Sequence, residues 1–245
     1  MPFSDLPERL ATVRDVIERA QARGGHGQRV TVVAVTKTHG AEAVRAAWDA
    51  GVHDVGENKV QEATAKMAAA EVPVRWHHIG HLQRNKVRQV DGFALLHGCD
   101  SPRLADALHA HGVARRRPVD VLLQVNVSGE ATKGGQHPDA VRAEGERLTT
   151  MPGVVVRGVM TMAPLGADER ALRATFGGAR AARDVLREIG HPADELSMGM
   201  SDDFAIAVEE GATLVRLGTI LFGPRETPAT RADTTSSDSR TTSAA

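Results

Sequence analysis

The chain has 245 residues, of which 41 % are hydrophobic and 25 % charged, with a formal net charge of −1. That length allows one large α/β domain or two small ones around a sizeable core, and the near-neutral balance gives no footing for non-specific binding to nucleic acid or anionic lipid. Cys99 is the only cysteine, so an intrachain disulfide is excluded, which fits a reducing compartment. The sequence carries neither an apolar signal core at its start nor a run of about 18 apolar residues, so a cytoplasmic protein is expected, with no membrane or nucleic-acid partner.

Residues 4–23 read as a helix with an apolar stripe of Leu6, Leu10, Val13, Val16, Ile17 and Ala20. Ser4 can cap it and Gly24-Gly25 stops it. Residues 30–36 are apolar and mostly β-branched, almost without alternation, which suits a parallel strand buried on both faces; the run ends on Lys37. A helix over 41–50 stops at Gly51, a second strand over 52–55 closes on Gly56-Glu57-Asn58, and a helix covers 59–70. The third strand is 74–79, followed by a basic helix over 83–90 and a fourth strand over 93–96. Ser101-Pro102 is a cap with proline at the first helical position. The fifth strand, 119–127, leads through a glycine-rich loop at 128–135 to a helix near 138–149. A sixth strand over 154–162, a long helix over 168–189 and a weak seventh strand over 195–198 come next. Ser201 then caps a helix over 202–210, and 213–217 is the eighth strand. Residues 226–245 carry no core-forming side chain and are expected to be a disordered tail after a domain over 1–225.

Eight short strands alternating with helices predict a single (β/α)₈ barrel, an α/β fold. The alternative is an open doubly wound sheet, but no GxGxxG fingerprint follows the first strand. The extra N-terminal helix either covers the barrel bottom or replaces the helix due after the eighth strand.

Barrel active sites lie at the carboxyl ends of the strands. Lys37 ends the first strand, where apolar walls would favour the free amine that Schiff-base chemistry needs. Asn58 follows the second strand, and His77 and His78 lie near the end of the third. Met200 and Ser201 follow the seventh, and Arg216, Gly218 and Thr219 close the eighth. Ser201 at a helix start, the bare backbone of Gly218 and the Thr219 hydroxyl suit a phosphate. Asp202 and Asp203 read as first-turn residues that point outward and favour the helix dipole. Arg216 shares a strand face with Gly218, and if buried it needs an acceptor, either a neighbouring acid or an unprotonated ring nitrogen. His77 and His78 face opposite ways, and neither a cysteine nor a nearby acid completes a zinc set, so no metal is expected. Lys133 is either a second phosphate contact or part of a solvated loop. Glu57 and Asp54 could act as acid or base, though nothing pairs them with Lys37. Lysine and phosphate cup alone would also serve a Schiff-base aldolase of sugar phosphates.

Taken together, the chain resembles the pyridoxal 5′-phosphate homeostasis proteins. The resemblance rests on Ala34-Val35-Thr36-Lys37, Gly56-Glu57-Asn58-Lys59-Val60-Gln61-Glu62 and Trp76-His77-His78-Ile79-Gly80-His81-Leu82-Gln83-Arg84-Asn85-Lys86. It continues through Gln124-Val125-Asn126-Val127-Ser128, Arg157-Gly158-Val159-Met160-Thr161-Met162, Ser197-Met198-Gly199-Met200-Ser201-Asp202-Asp203 and Arg216-Leu217-Gly218-Thr219-Ile220-Leu221-Phe222-Gly223. One departure is His81, where many relatives carry proline.

The resemblance implies a barrel like the N-terminal domain of alanine racemase, with pyridoxal phosphate held as a Schiff base on Lys37. By the same likeness Ser201, Gly218 and Thr219 hold the phosphate, Arg216 faces the pyridine nitrogen, and Asn58 and Met200 belong to the site. An arginine there keeps its proton, leaving the ring nitrogen neutral and the cofactor a weaker electron sink. Racemases of this fold add a second domain and a tyrosine acid/base, and this chain contains no tyrosine. The implied role is a monomer that buffers and delivers pyridoxal phosphate, with apo-enzymes as recipients. The alternative is a weak racemase or lyase with His77 or His78 as acid/base.

Overall fold

The structure, a computed structural model, describes residues 3–130 and 134–224. The expected tail at 226–245 and Lys133 lie outside these residues. Eight parallel strands close into a barrel in sequence order: β1 (Thr31–Val35), β2 (Asp54–Glu57), β3 (Arg75–His78), β4 (Leu95–Cys99), β5 (Val119–Gln124), β6 (Val154–Met160), β7 (Glu195–Ser197) and β8 (Leu214–Leu217). Pairing of β8 with β1, with Val33 opposite Arg216, seals the barrel. The expected (β/α)₈ barrel is the architecture found.

Two apolar layers follow from the two faces of each strand. Val33, Leu95, Leu122, Met160 and Leu214 fill the barrel interior. Their strand neighbours Ala34, Leu96, Val121, Val159 and Val215 belong to the larger cluster between strands and helices. Burying each of the valine, leucine and methionine side chains among these contributes roughly 1.5–3 kcal/mol.

The outer layer is α1 (Leu6–Gly24), α2 (Ala41–Asp49), α3 (Val60–Ala70), α4 (Pro102–Arg115), α5 (Val141–Thr149), α6 (Glu169–Ile189), α7 (Phe204–Glu209) and α8 (Thr219–Phe222). Helix α1 buries Leu6, Leu10, Val13, Ile17 and Ala20 and ends where Gly25, at φ 68°, turns its N–H back to the Gln21 carbonyl. It packs against α7 and α8, and Arg23 donates to Glu209 at 2.6 Å. The extra helix therefore occupies the place of the helix due after β8, which α8 fills with only four residues.

Several boundaries differ from expectation. The basic segment is a 3₁₀ helix, Arg84–Gln89, rather than an α-helix. The fourth strand starts and ends later than expected, because its ladder runs to Cys99 through a register shift against β5. Helix α7 begins at Phe204, and Ser201 is not its cap. Among the described residues no helix is long and apolar enough to cross a membrane.

Candidate functional site

The β1 ladder ends at Val35, and Lys37 stands two residues beyond it, lining one small cavity together with Val35. The residues around it are held from behind. Thr36 is fully buried; its hydroxyl donates to Glu57 Oε1 at 2.5 Å, and its carbonyl accepts from Lys66 Nζ at 2.7 Å. Lys66 also binds Glu57 Oε1 at 2.5 Å. Immediately after Lys37 the chain takes a left-handed turn at Thr38, φ 73°. A β-branched residue is strained there, and such strain gathers at functional sites.

A small cavity of about 30 Å³ is lined by Val35, Lys37, Thr38, His39, Gly218, Thr219 and Gly223. It brings the ends of β1 and β8 together. A Cβ on Gly218 would meet Val35 Cβ at 3.5 Å, an ordinary contact. Packing alone therefore does not require glycine; what its missing side chain leaves is room beside Thr219. Ser201 joins the group from β7, its Oγ accepting the Ile220 N–H at 3.4 Å. The turn that delivers it depends on Gly199, at φ 89°, where a Cβ would come 2.6 Å from Ala207 Cβ.

Arg216 lies in the layer above the interior apolar plug, only 5 % exposed. It donates to Ser197 Oγ at 2.5 Å and to the Thr161 carbonyl at 3.0 Å. Both acceptors are neutral, and among the described residues no carboxylate pairs with it directly. Burial pushes its pKa down to about 10, with Asp203 acting in the opposite sense. Beneath it runs a polar chain: Ser197 Oγ to His97 Nδ1 at 2.8 Å, His97 Nε2 to His77 Nδ1 at 2.9 Å, and His77 Nε2 to Asp54 Oδ1 at 2.8 Å. Arg75 holds the other Asp54 oxygen at 2.7 Å. Burial holds the His97 pKa well below the usual imidazole value, and the positive charge of Arg216 acts in the same sense.

The other expected residues are placed as follows. Asn58 lines a separate cavity of about 270 Å³ with Lys59, Gln61, His78, His81 and Lys86. Met200 is 40 % exposed, and its N–H donates to Asp203 Oδ1 at 2.6 Å. Asp203 does not point outward as a dipole partner; its half-buried carboxyl has a raised pKa through desolvation and faces the charge of Arg216, whereas Asp202 is exposed. His78 packs edge-on against Phe93 on the outer face of β3, with Nδ1 buried and unpartnered. Burial lowers its pKa to about 4.

Three groups escaped the sequence reading: His97, Ser197 as a partner of Arg216, and Lys66 behind Thr36. A lone imidazole within the apolar run Leu95-Leu96-His97 was the signal for the first. The others depend on register between distant strands, which no local pattern encodes.

Fold and site define a parallel barrel that presents an amine, a buried guanidinium and a small cavity beside Gly218 and Thr219 at the carboxyl ends of its strands. Residues 9–226 match the family model "Alanine racemase, N-terminal domain". The chain is 42 % identical to the pyridoxal phosphate homeostasis protein of Pseudomonas aeruginosa over 91 % of this chain and 97 % of that one. It is 40 % identical to the protein of the same description from Aquifex aeolicus, over 89 % and 98 %. PipY of Synechococcus elongatus, solved without and with pyridoxal phosphate bound, matches at 38 % identity, with TM-scores of 0.80 and 0.78. Both matches cover 89 % of this chain and 100 % of PipY. The chain belongs to the pyridoxal phosphate homeostasis protein family.

Proposed function

We propose that the protein binds pyridoxal 5′-phosphate covalently as a Schiff base with the Lys37 amine and serves intracellular pyridoxal phosphate homeostasis as a monomeric carrier and buffer. The observation that carries this reading is the convergence of Lys37, Gly218 and Thr219 on one small cavity at the barrel mouth. Ser201 adds a hydroxyl to the Gly218–Thr219 backbone, so the three would take the phosphate; Met200 would border the cofactor, whereas Asn58, grouped with them from the sequence, lies on the separate cavity that His78 also lines. Among the described residues Arg216 is a buried cation whose hydrogen bonds go to the neutral Ser197 hydroxyl and Thr161 carbonyl, a donor set that fits an unprotonated ring nitrogen. When bound, the cofactor supplies an electrophilic carbon and an electron sink, which this arginine weakens. The protein's own residues anchor, orient and shield.

The placement of the histidines supports carriage over turnover. His77 has both ring nitrogens engaged inside the barrel, and His78 lies on the outer face of its strand. Apo-enzymes that use the same cofactor are the recipients in this reading. Titration with pyridoxal phosphate should give a saturable yellow complex with wild-type protein and none with Lys37→Ala. An equally intense, saturable band in Lys37→Ala would overturn the assignment.

A further inference from the structure

The polar chain through the barrel has a direction. Arg216 can only donate, and Asp54, whose pKa is lowered because its bonds from His77 and Arg75 outweigh burial, accepts. With both imidazoles neutral, one arrangement satisfies every bond. Arg216 donates to Ser197, the Ser197 hydroxyl to His97 Nδ1, His97 Nε2–H to His77 Nδ1, and His77 Nε2–H to Asp54. Asp54 and His77 line a cavity of about 500 Å³ at the amino-terminal mouth, so the chain crosses the barrel from one mouth to the layer below the other.

We propose that Asp54, His77, His97 and Ser197 are positioning residues for Arg216, forming a one-way hydrogen-bond line that fixes the guanidinium and answers its charge with a carboxylate at the opposite mouth. This rests on the reading that Arg216 faces the cofactor ring. The line explains how a cation can sit among neutral acceptors: each bond is polarised in the same sense, and buried networks of this kind reinforce bond by bond. Other charged or titratable groups acting on it are Arg75 beside Asp54, His78 near His97, and Asp203 beside Arg216. Asp203 already sets a carboxylate near the guanidinium, so the Asp54 end of the line adds to the compensation of a cation buried in a low-dielectric interior.

Nitrogen-15 NMR of the whole protein, labelled at histidine, reads the tautomers without cofactor. The result expected is neutral His77 and His97, both protonated at Nε2. An imidazolium at His77, or a proton on Nδ1 of His97, overturns the stated direction. Cofactor titration then reads the consequence. His97→Leu and Ser197→Ala should each weaken binding about tenfold and move the visible band. His97→Gln, which can donate to His77 and accept from Ser197, should restore both. Unchanged affinity and spectrum in folded His97→Leu and Ser197→Ala would overturn the proposal. If wild-type protein forms no yellow complex, the cofactor reading fails, whereas the tautomers still decide the direction of the line.

Discussion

Thr38 carries the strain next to the amine. At φ 73° its branched side chain occupies a backbone region that glycine enters freely. Replacing Thr38 with glycine relieves that strain but frees the unfolded chain, so the net gain in stability is expected to be about 1 kcal/mol, seen as a higher urea midpoint. The same change loosens the turn that aims Lys37, and cofactor affinity should fall. A variant both less stable and tighter-binding would contradict this view of the turn. Arg216 illustrates how far a single residue can be read from sequence. Its strand face was legible from the two-residue spacing to Gly218, but its acceptors were not, because Ser197 and the Thr161 carbonyl come from other strands.

At the scale of elements, β1, β2 and α3 are locked together by Thr36, Glu57 and Lys66. The lysine pairs with a buried carboxylate whose second oxygen, Glu57 Oε2, has no hydrogen-bond partner among the described residues. Removing one member of a buried pair strands the other charge, so Lys66→Met should cost about 3–5 kcal/mol in equilibrium unfolding. The double variant with Glu57→Gln should recover a large part of that loss; no recovery would mean that Lys66 acts through packing alone. Alternation of strands and helices made the barrel legible, since eight buried apolar runs leave few other folds. Element ends were less so. Lys37 reads as the last residue of a strand, yet the ladder stops at Val35 because β2 ends its pairing at Gly56. Ser201 has the composition of a helix cap, yet its hydroxyl serves Ile220, since the tight turn at Gly199 delays α7 to Phe204.

At the scale of the whole molecule, the barrel keeps two imidazoles neutral in its walls. The unfolded chain binds protons at these histidines below the ordinary value of 6.5, whereas His97 and His78 resist them in the fold. Their contribution is therefore fully present above pH 6.5 and is lost as the pH falls. For His78, the drop to about 4 corresponds to a loss on the order of 3 kcal/mol. Asp54 adds a second loss at lower pH, because its carboxylate stability exists above the ordinary 3.8 and disappears as the group is protonated. Urea unfolding between pH 7.5 and pH 4.5, to about these limits, should thus show falling stability, with a shallower fall in His97→Gln; a flat profile would contradict neutral burial. The His97 and Asp54 parts of this acid sensitivity lie on the interior line that ends under Arg216.

The proposed anchoring of pyridoxal phosphate by the amine at the end of β1 can be read chemically. Borohydride reduction of the protein incubated with the cofactor, followed by peptide mass mapping, tests it most directly. The result expected is a stable pyridoxyl adduct on Lys37, absent in Lys37→Ala. An adduct confined to other lysines, such as Lys59 or Lys86 beside the neighbouring cavity, with Lys37 unmodified, would contradict it.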